Sequence, residues 1–204
     1  MGEDSKFVKV AVIGTHGTGK TTIVYDIATR LKLGGVNVGI VEEVARTLPR
    51  YKGFDINENT NADSQLWILH QQMIREIEAK VRGDNDAAIC DRAVLDNYMY
   101  LVYNGGRTPA RDIMVYDWVK TYDLLVYVPI RKERPLPNNG DAMRAQDPVF
   151  QRGIEDLLER DIGGKGIDVM KYKDTPTVIK RIMELLEEKV YEPKQHTIGQ
   201  EQNN

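Results

Sequence analysis

The apolar positions of the first forty residues change period at a cluster of glycines. Val8, Val10, Val12 and Ile13 form a short, β-branched run that predicts a strand. Past the glycines at 14, 17 and 19, Ile23, Ile27 and Leu31 recur every four residues, with Val24 and Ala28 alongside. That spacing predicts a helix, which Gly34-Gly35 stops. A second strand is expected over Val36 to Val41, ending at Glu42-Glu43. The stretch Arg50 to Asn61 is polar and turn-rich, after which Leu66, Leu69, Met73, Ile77 and Val81 mark a long amphipathic helix.

Gly83-Asp84 breaks the chain before a third strand, Ala87 to Cys90, which exits at Asp91-Arg92. Helical segments follow over 93–103 and 109–120, the second with Thr108 as cap and Pro109 at its first position. Leu124 to Ile130 is nearly all apolar, as expected of a strand covered on both faces. Residues 131–146 are rich in Arg, Pro, Asn and Gly and read as a mobile loop. Asp147-Pro148 and Thr175-Pro176 are expected to start two more helices by the same cap-then-proline device. Between them, Asp161-Ile162-Gly163-Gly164 reads as a helix-ending turn and Ile167 to Met170 as a weaker fifth strand.

Strands alternating with helices predict an α/β fold: a five-stranded parallel sheet with helices on both faces, in three layers. The sequence reads as one domain over residues 1–190, followed by a polar tail, 191–204. Ligands of such sheets bind outside the carboxyl ends of the strands. Here those exits carry Gly14–Thr21, Glu42-Glu43, Asp91-Arg92, Arg131–Arg134 and Lys171–Asp174, whereas the strand interiors are apolar. Polar chemistry is concentrated on one edge.

Composition narrows the partners. A net charge of −3 over 204 residues gives no global attraction to nucleic acid or anionic lipid, so a small-molecule partner is expected. No apolar stretch approaches the ~20 residues of a spanning helix, and no signal-peptide pattern opens the sequence. Met1-Gly2 would suit myristoylation, but position 6 is Lys6 where Ser or Thr is required. The single cysteine, Cys90, excludes an internal disulfide and fits a reducing, cytoplasmic compartment; its apolar neighbours make it a buried thiol.

Gly14-Thr15-His16-Gly17-Thr18-Gly19-Lys20-Thr21 matches G-x-x-x-x-G-K-[ST] in full, after a strand and opening a helix. Glycines let successive backbone N–H groups turn toward phosphate oxygens, and the helix N-terminus adds donors and partial positive charge. These residues, with Thr22, are the expected nucleoside triphosphate site, most simply for ATP. Lys20 reaches the outer phosphates, and the Thr21 hydroxyl with Asp91 is expected to hold Mg²⁺. For His16 the backbone N–H, not the ring, is the group expected to matter. No [NT]-K-x-D run is present to read guanine, although GTP as donor stays open.

Phosphoryl transfer further needs a carboxylate at the acceptor and cations for the developing charge. Glu43 or Glu42 follows the second strand and suits the first role. Arg92 stands beside Asp91, and Arg131, Lys132, Arg134, Arg144 and Arg152 populate a candidate lid over about 131–152 and the helix after it. Arg144, inside the loop, is the lid residue singled out for catalysis. Arg46, Arg50 and Arg92 would suit a phosphate acceptor and Glu43 a hydroxyl, so the sequence leaves both open. Of Tyr51, Phe54, Trp67, Tyr98, Tyr100 and Tyr103, Tyr98 is expected to contact the acceptor because it follows Asp91-Arg92 by one to two turns.

Glu43-Val44-Ala45-Arg46 resembles the E-x-A-R element of the nicotinamide-riboside-kinase-like branch of small P-loop kinases. Asp91-Arg92 followed by Asp96-Asn97-Tyr98 is similar to that branch's third-strand element and helix. Asp141 to Ile154, with Arg144, Asp147, Phe150 and Gln151, resembles its lid and lid-exit helix. The resemblance spans most of residues 7–190. It implies a P-loop kinase fold with an Arg-bearing lid, Mg-ATP as donor and a nucleoside- or nucleotide-like acceptor. Two other functions remain: a nucleotide-dependent switch with slow hydrolysis, and a kinase acting on polynucleotide ends or modified bases.

Overall fold

The computed structural model describes residues 7–47, 62–131 and 147–191. β1 (Val8–Ile13) leads into α1 (Lys20–Leu33), then β2 (Val38–Val41), a single 3-10 turn (Val44–Thr47) and α2 (Ala62–Val81). β3 (Ala87–Asp91), α3 (Val94–Tyr103), α4 (Pro109–Val119) and β4 (Leu124–Tyr127) follow, and α5 (Pro148–Lys165), β5 (Met170–Lys171) and α6 (Thr175–Tyr191) complete the order. The sheet is parallel throughout, in the order β2-β3-β1-β4-β5.

Side-chain alternation along the strands builds the layers. Val8, Val10 and Val12 of β1 point to the face covered by α1 and α6, through Val24, Ile27, Leu31, Val178 and Ile182. Ala11 and Ile13 point to the other face, against Leu69 and Met73 of α2, much of α3, and Phe150, Ile154 and Leu158 of α5. β1 is buried at every position. Its C-terminus, at the centre of the sheet, is therefore a rigid support for the loop that follows.

β1 runs as expected and β3 extends one residue further, to Asp91, whereas the other three predicted strands are longer than the observed ones because neighbouring contacts consume their ends. Val36 donates its N–H to the Leu31 carbonyl behind Gly35 at φ 85°, closing the end of α1, so β2 begins two residues later than expected. Ile130 leaves the sheet because the Glu155 carboxylate accepts its N–H at 2.5 Å. Ile167 likewise donates to the Ile162 carbonyl after Gly166, the left-handed cap of α5, which shifts β5 to Met170–Lys171. The expected turn at Asp161–Gly164 is instead helix: Asp161 is buried and ion-paired at 2.6 Å to Arg107, and α5 runs on to Lys165. At α6 the cap is Asp174, whose carboxylate accepts the Thr177 N–H at 2.8 Å, so Thr175 is the first helical residue. Among the described residues no helix is long and apolar enough to cross a membrane.

Candidate active site

The phosphate loop leaves β1 at Gly14, whose φ of 143° suits only glycine; a Cβ there would lie 2.4 Å from the Val128 carbonyl oxygen of the adjoining strand exit. Gly14→Ala is expected to lower unfolding free energy by at least about 2 kcal/mol, read as a lower urea midpoint at unchanged m. Gly19, at φ 89°, turns the chain into α1. Lys20 follows, buried, with Nζ donating to the Thr15 carbonyl at 2.6 Å. Burial foremost, and then the charge of Arg92, bring its ammonium down to about 8, against the pull of Asp96, Glu43 and Asp91. Among the described residues this desolvated cation makes no ion pair and rests on a neutral carbonyl.

Thr21, half-buried one residue on, donates its hydroxyl to Asp91 Oδ2 at 2.6 Å, joining the start of α1 to the end of β3. A hydroxyl and a carboxylate so placed are hard oxygen donors of the kind Mg²⁺ takes beside phosphate oxygens and water. Among the described residues no group of three or more acidic, His or Cys side chains forms a metal cage. Such a pair suits a metal that arrives with its nucleotide. Thr22 is exposed on α1.

On the β2–β3 side, Glu43 and Arg92 meet. Arg92 Nε donates to Glu43 Oε1 at 2.7 Å, and its Nη1 lies 3.4 Å from both Asp96 Oδ2 and the Tyr100 hydroxyl. The guanidinium stands 5.1 Å from the Tyr100 ring centroid. Arg46, exposed, donates to the other Glu43 oxygen at 2.9 Å. Burial opposes ionisation of Glu43, but Arg92, Lys20 and Arg46 outweigh it and hold the carboxyl well below the usual carboxylate range. Glu42 is turned outward and accepts the Tyr25 hydroxyl at 2.9 Å. Of the two glutamates, Glu43 is the one turned toward Arg92.

Tyr98 corrects an expectation. It is fully buried in the core between sheet and helices, and its hydroxyl donates to Asp112 of α4 at 2.8 Å, not toward the phosphate loop. Tyr100, two residues on, is the tyrosine of α3 that faces the phosphate loop and Arg92. Its hydroxyl accepts the His16 N–H at 3.1 Å and lies 3.2 Å from His16 Nδ1. The apolar stripe Val94, Leu95, Tyr98, Met99, Leu101 was the available signal, since Tyr100 lies off it.

The N-terminal turn of α5 is fastened to the loop. Gln151 Nε2 donates to the His16 carbonyl at 2.7 Å, and Thr15 Oγ1 donates to the Gln151 carbonyl at 3.1 Å. Phe150 stacks on the His16 ring, centroids 5.5 Å apart. Arg152 points elsewhere and pairs with Glu155 at 3.7 Å. Arg131, at the exit of β4, lies over the Tyr172 ring beside β5 at 5.8 Å. Arg144, Lys132 and Arg134 of the expected lid, with Arg50, Tyr51 and Phe54, lie outside the described residues.

Asp96 is a group for which the sequence suggested no chemistry. Its Oδ1 accepts the Ala93 N–H at 2.6 Å, as a capping residue at the start of α3. Burial foremost pushes its carboxyl up to about 6, against Arg92, Lys20 and the Ala93 amide. A carboxyl raised on folding contributes stability that is full below its unfolded value and lost as pH rises through the folded one. Wild type should therefore lose about 2–3 kcal/mol relative to Asp96→Asn between pH 4 and 7, measured by denaturant titration at each pH.

A family profile described as "AAA domain" matches residues 9–177. No curated protein matches the sequence. Among solved structures, deoxyadenosine kinase from M. mycoides superposes with a TM-score of 0.58 at 19% identity, over 89% of this chain and 100% of its own. Thymidylate kinase from Ehrlichia chaffeensis gives 0.57 at 17% identity, over 88% and 98%. NadR in complex with NR gives 0.63 at 16%, over 88% of this chain but only 50% of NadR. The fold is thus that of the deoxyadenosine and thymidylate kinases and of NadR, a P-loop kinase fold as the E-x-A-R and Asp91-Arg92 resemblances implied. With a phosphate loop of full pattern and a profile match over most of its length, the chain belongs to the AAA domain family of P-loop proteins.

Proposed function

We propose that this chain is an ATP-dependent phosphotransferase acting on a hydroxyl of a nucleoside-like acceptor in the cytoplasm. The observation that carries the reading is the Glu43–Arg92 pair, 2.7 Å long, at the exits of β2 and β3 beside the phosphate loop. The strand order β2-β3-β1-β4-β5 supports a donor and an acceptor on opposite sides of β1. The exits of β4 and β5, with Arg131 over Tyr172, offer flat surfaces for the donor base. The exits of β2 and β3 are left for the acceptor.

Charge favours a hydroxyl over a phosphate acceptor. Arg92 is already matched by Glu43 and Asp96, and Arg46 by Glu43. A phosphate dianion would enter among carboxylates whose arginines are engaged; a hydroxyl needs only one accepting oxygen. The deoxyadenosine kinase named above points the same way.

In this reading the amides of Gly14–Thr21 and the Lys20 ammonium hold the phosphates, displacing the Thr15 carbonyl from Lys20 and the Tyr100 hydroxyl from the His16 N–H. Thr21 and Asp91 would hold Mg²⁺, which when bound neutralises charge between the outer phosphates. Glu43, kept ionised by Arg92, accepts a hydrogen bond from the acceptor hydroxyl and aims its lone pair at the γ-phosphorus. The new O–P bond forms as the bond to the leaving ADP oxygen breaks, and the hydroxyl proton passes to Glu43 late, then to solvent. Arg144, from the lid, would add positive charge at the transferring group.

The test offers labelled Mg-ATP with nucleosides, nicotinamide riboside or the matching 5′-monophosphates. Label on a nucleoside hydroxyl supports the reading; label only on monophosphates would mean that the arginines, not Glu43, face the acceptor.

A further inference from the structure

Arg92 has a φ of 90° and is the one non-glycine at positive φ among the described residues. A side chain held there costs conformational energy, so other contacts must impose the geometry. They are visible on both sides of the residue. Its N–H donates to the Val12 carbonyl of β1 at 3.1 Å, and its carbonyl accepts Gln72 Nε2 of α2 at 3.2 Å. Immediately after it, Ala93 is fixed by Asp96 at 2.6 Å.

Gln72 is fully buried and is itself locked. The same Nε2 donates to Glu76 Oε1 at 2.9 Å, and its Oε1 accepts Asn97 Nδ2 at 3.5 Å. Glu76, one turn on along α2, is held in turn by the Tyr122 hydroxyl at 2.6 Å, Trp118 Nε1 at 2.8 Å and Lys9 Nζ at 2.9 Å. The position needs one NH₂ group that donates to a carbonyl and a carboxylate at once. Glutamine does this; ionised glutamate cannot donate, asparagine is one methylene short, and methionine has the shape without the donors.

We infer that Gln72, anchored on Glu76, is a positioning residue that pins the strained Arg92 backbone so that its guanidinium lies between Glu43 and Asp96. Without it the Arg92 carbonyl loses its buried donor, and the residue relaxes toward negative φ, carrying the guanidinium away from Glu43. The catalytic part of this inference rests on the function proposed above; the structural part does not.

The two parts are read separately. In ¹⁵N spectra of the full chain, the Arg92 Nε–H signal, assigned by its loss in Arg92→Lys, should be protected from exchange in wild type and lose that protection in Gln72→Met. A signal equally protected in Gln72→Met overturns the inference, whatever the protein catalyses. In transfer assays, Gln72→Met should lower kcat about 10–100-fold with the Kd for ATP unchanged, and should cost nothing further when Arg92 is already Ala. An equal loss in both backgrounds, or no loss from Gln72→Met alone, also overturns it. Should Gln72→Met not fold, Gln72→Asn is read by the same spectrum and the same cycle. Absence of transfer by wild type to any acceptor would defeat the proposed function instead, leaving the spectrum to decide the inference.

Discussion

Lys20→Met is expected to abolish phosphoryl transfer while leaving the ligand-free protein at least as stable as wild type. The two effects have one cause. In the structure the Lys20 ammonium is buried, makes its hydrogen bond to a neutral carbonyl, and is brought down to about 8 chiefly by desolvation. An apolar side chain of similar length removes that desolvation cost. With phosphate bound the balance reverses, because the same low-dielectric site strengthens the attraction of Lys20 for the charge that develops on the transferring group. A loss of about 10³-fold or more in kcat/KM is expected, with a melting temperature unchanged or higher. Transfer within about tenfold of wild type would remove Lys20 from the mechanism.

Glu43→Gln is the second large effect. The amide is isosteric, can accept Arg92 Nε–H through its oxygen, and cannot take a proton from the acceptor. Loss of a positioned carboxylate of this kind costs about 10²–10⁴-fold in kcat, while the Kd for ATP should change far less, since Glu43 is hydrogen-bonded to Arg92 and Arg46 and not to the phosphate loop. The variant also discriminates between acceptors. A hydroxyl acceptor depends on the carboxylate, so its turnover collapses. A phosphate acceptor would gain, because the neutral amide no longer balances the charges of Arg92 and Arg46. Kinetics with each acceptor class, beside equilibrium nucleotide binding, separate these outcomes.

What the sequence made legible is what lies close together along the chain. The phosphate loop is eight consecutive residues, and the strand before it and helix after it are written in apolar periods of two and about four. The charged strand exits were readable for the same reason: Glu43 and Asp91-Arg92 each terminate an apolar run. Whether Glu42 or Glu43 faced inward was not, since adjacent residues at a strand end differ only in the side they present. Tyr98 and Tyr100 pose the same problem on a helix that is buried on most of its circumference. There the core stripe had to be read before choosing a tyrosine. Strand ends were overestimated wherever a cap drew on the next apolar residue, as at Val36 and Ile167. The contacts between Gln151 and His16, and between Gln72 and the Arg92 carbonyl, join residues 135 and 20 positions apart. No local pattern encodes them. The positive φ of Arg92 is likewise imposed by packing against a residue type that does not favour it.

Transfer of label from γ-labelled Mg-ATP to a panel of nucleosides, with Lys20→Met as blank, decides between a kinase and its alternatives. The proposed chemistry predicts label on one nucleoside class, lost in Lys20→Met and reduced at least about a hundredfold in Glu43→Gln. Label released only as inorganic phosphate, at a rate indifferent to every acceptor and to Glu43→Gln, would contradict it and make the chain a nucleotide-dependent switch.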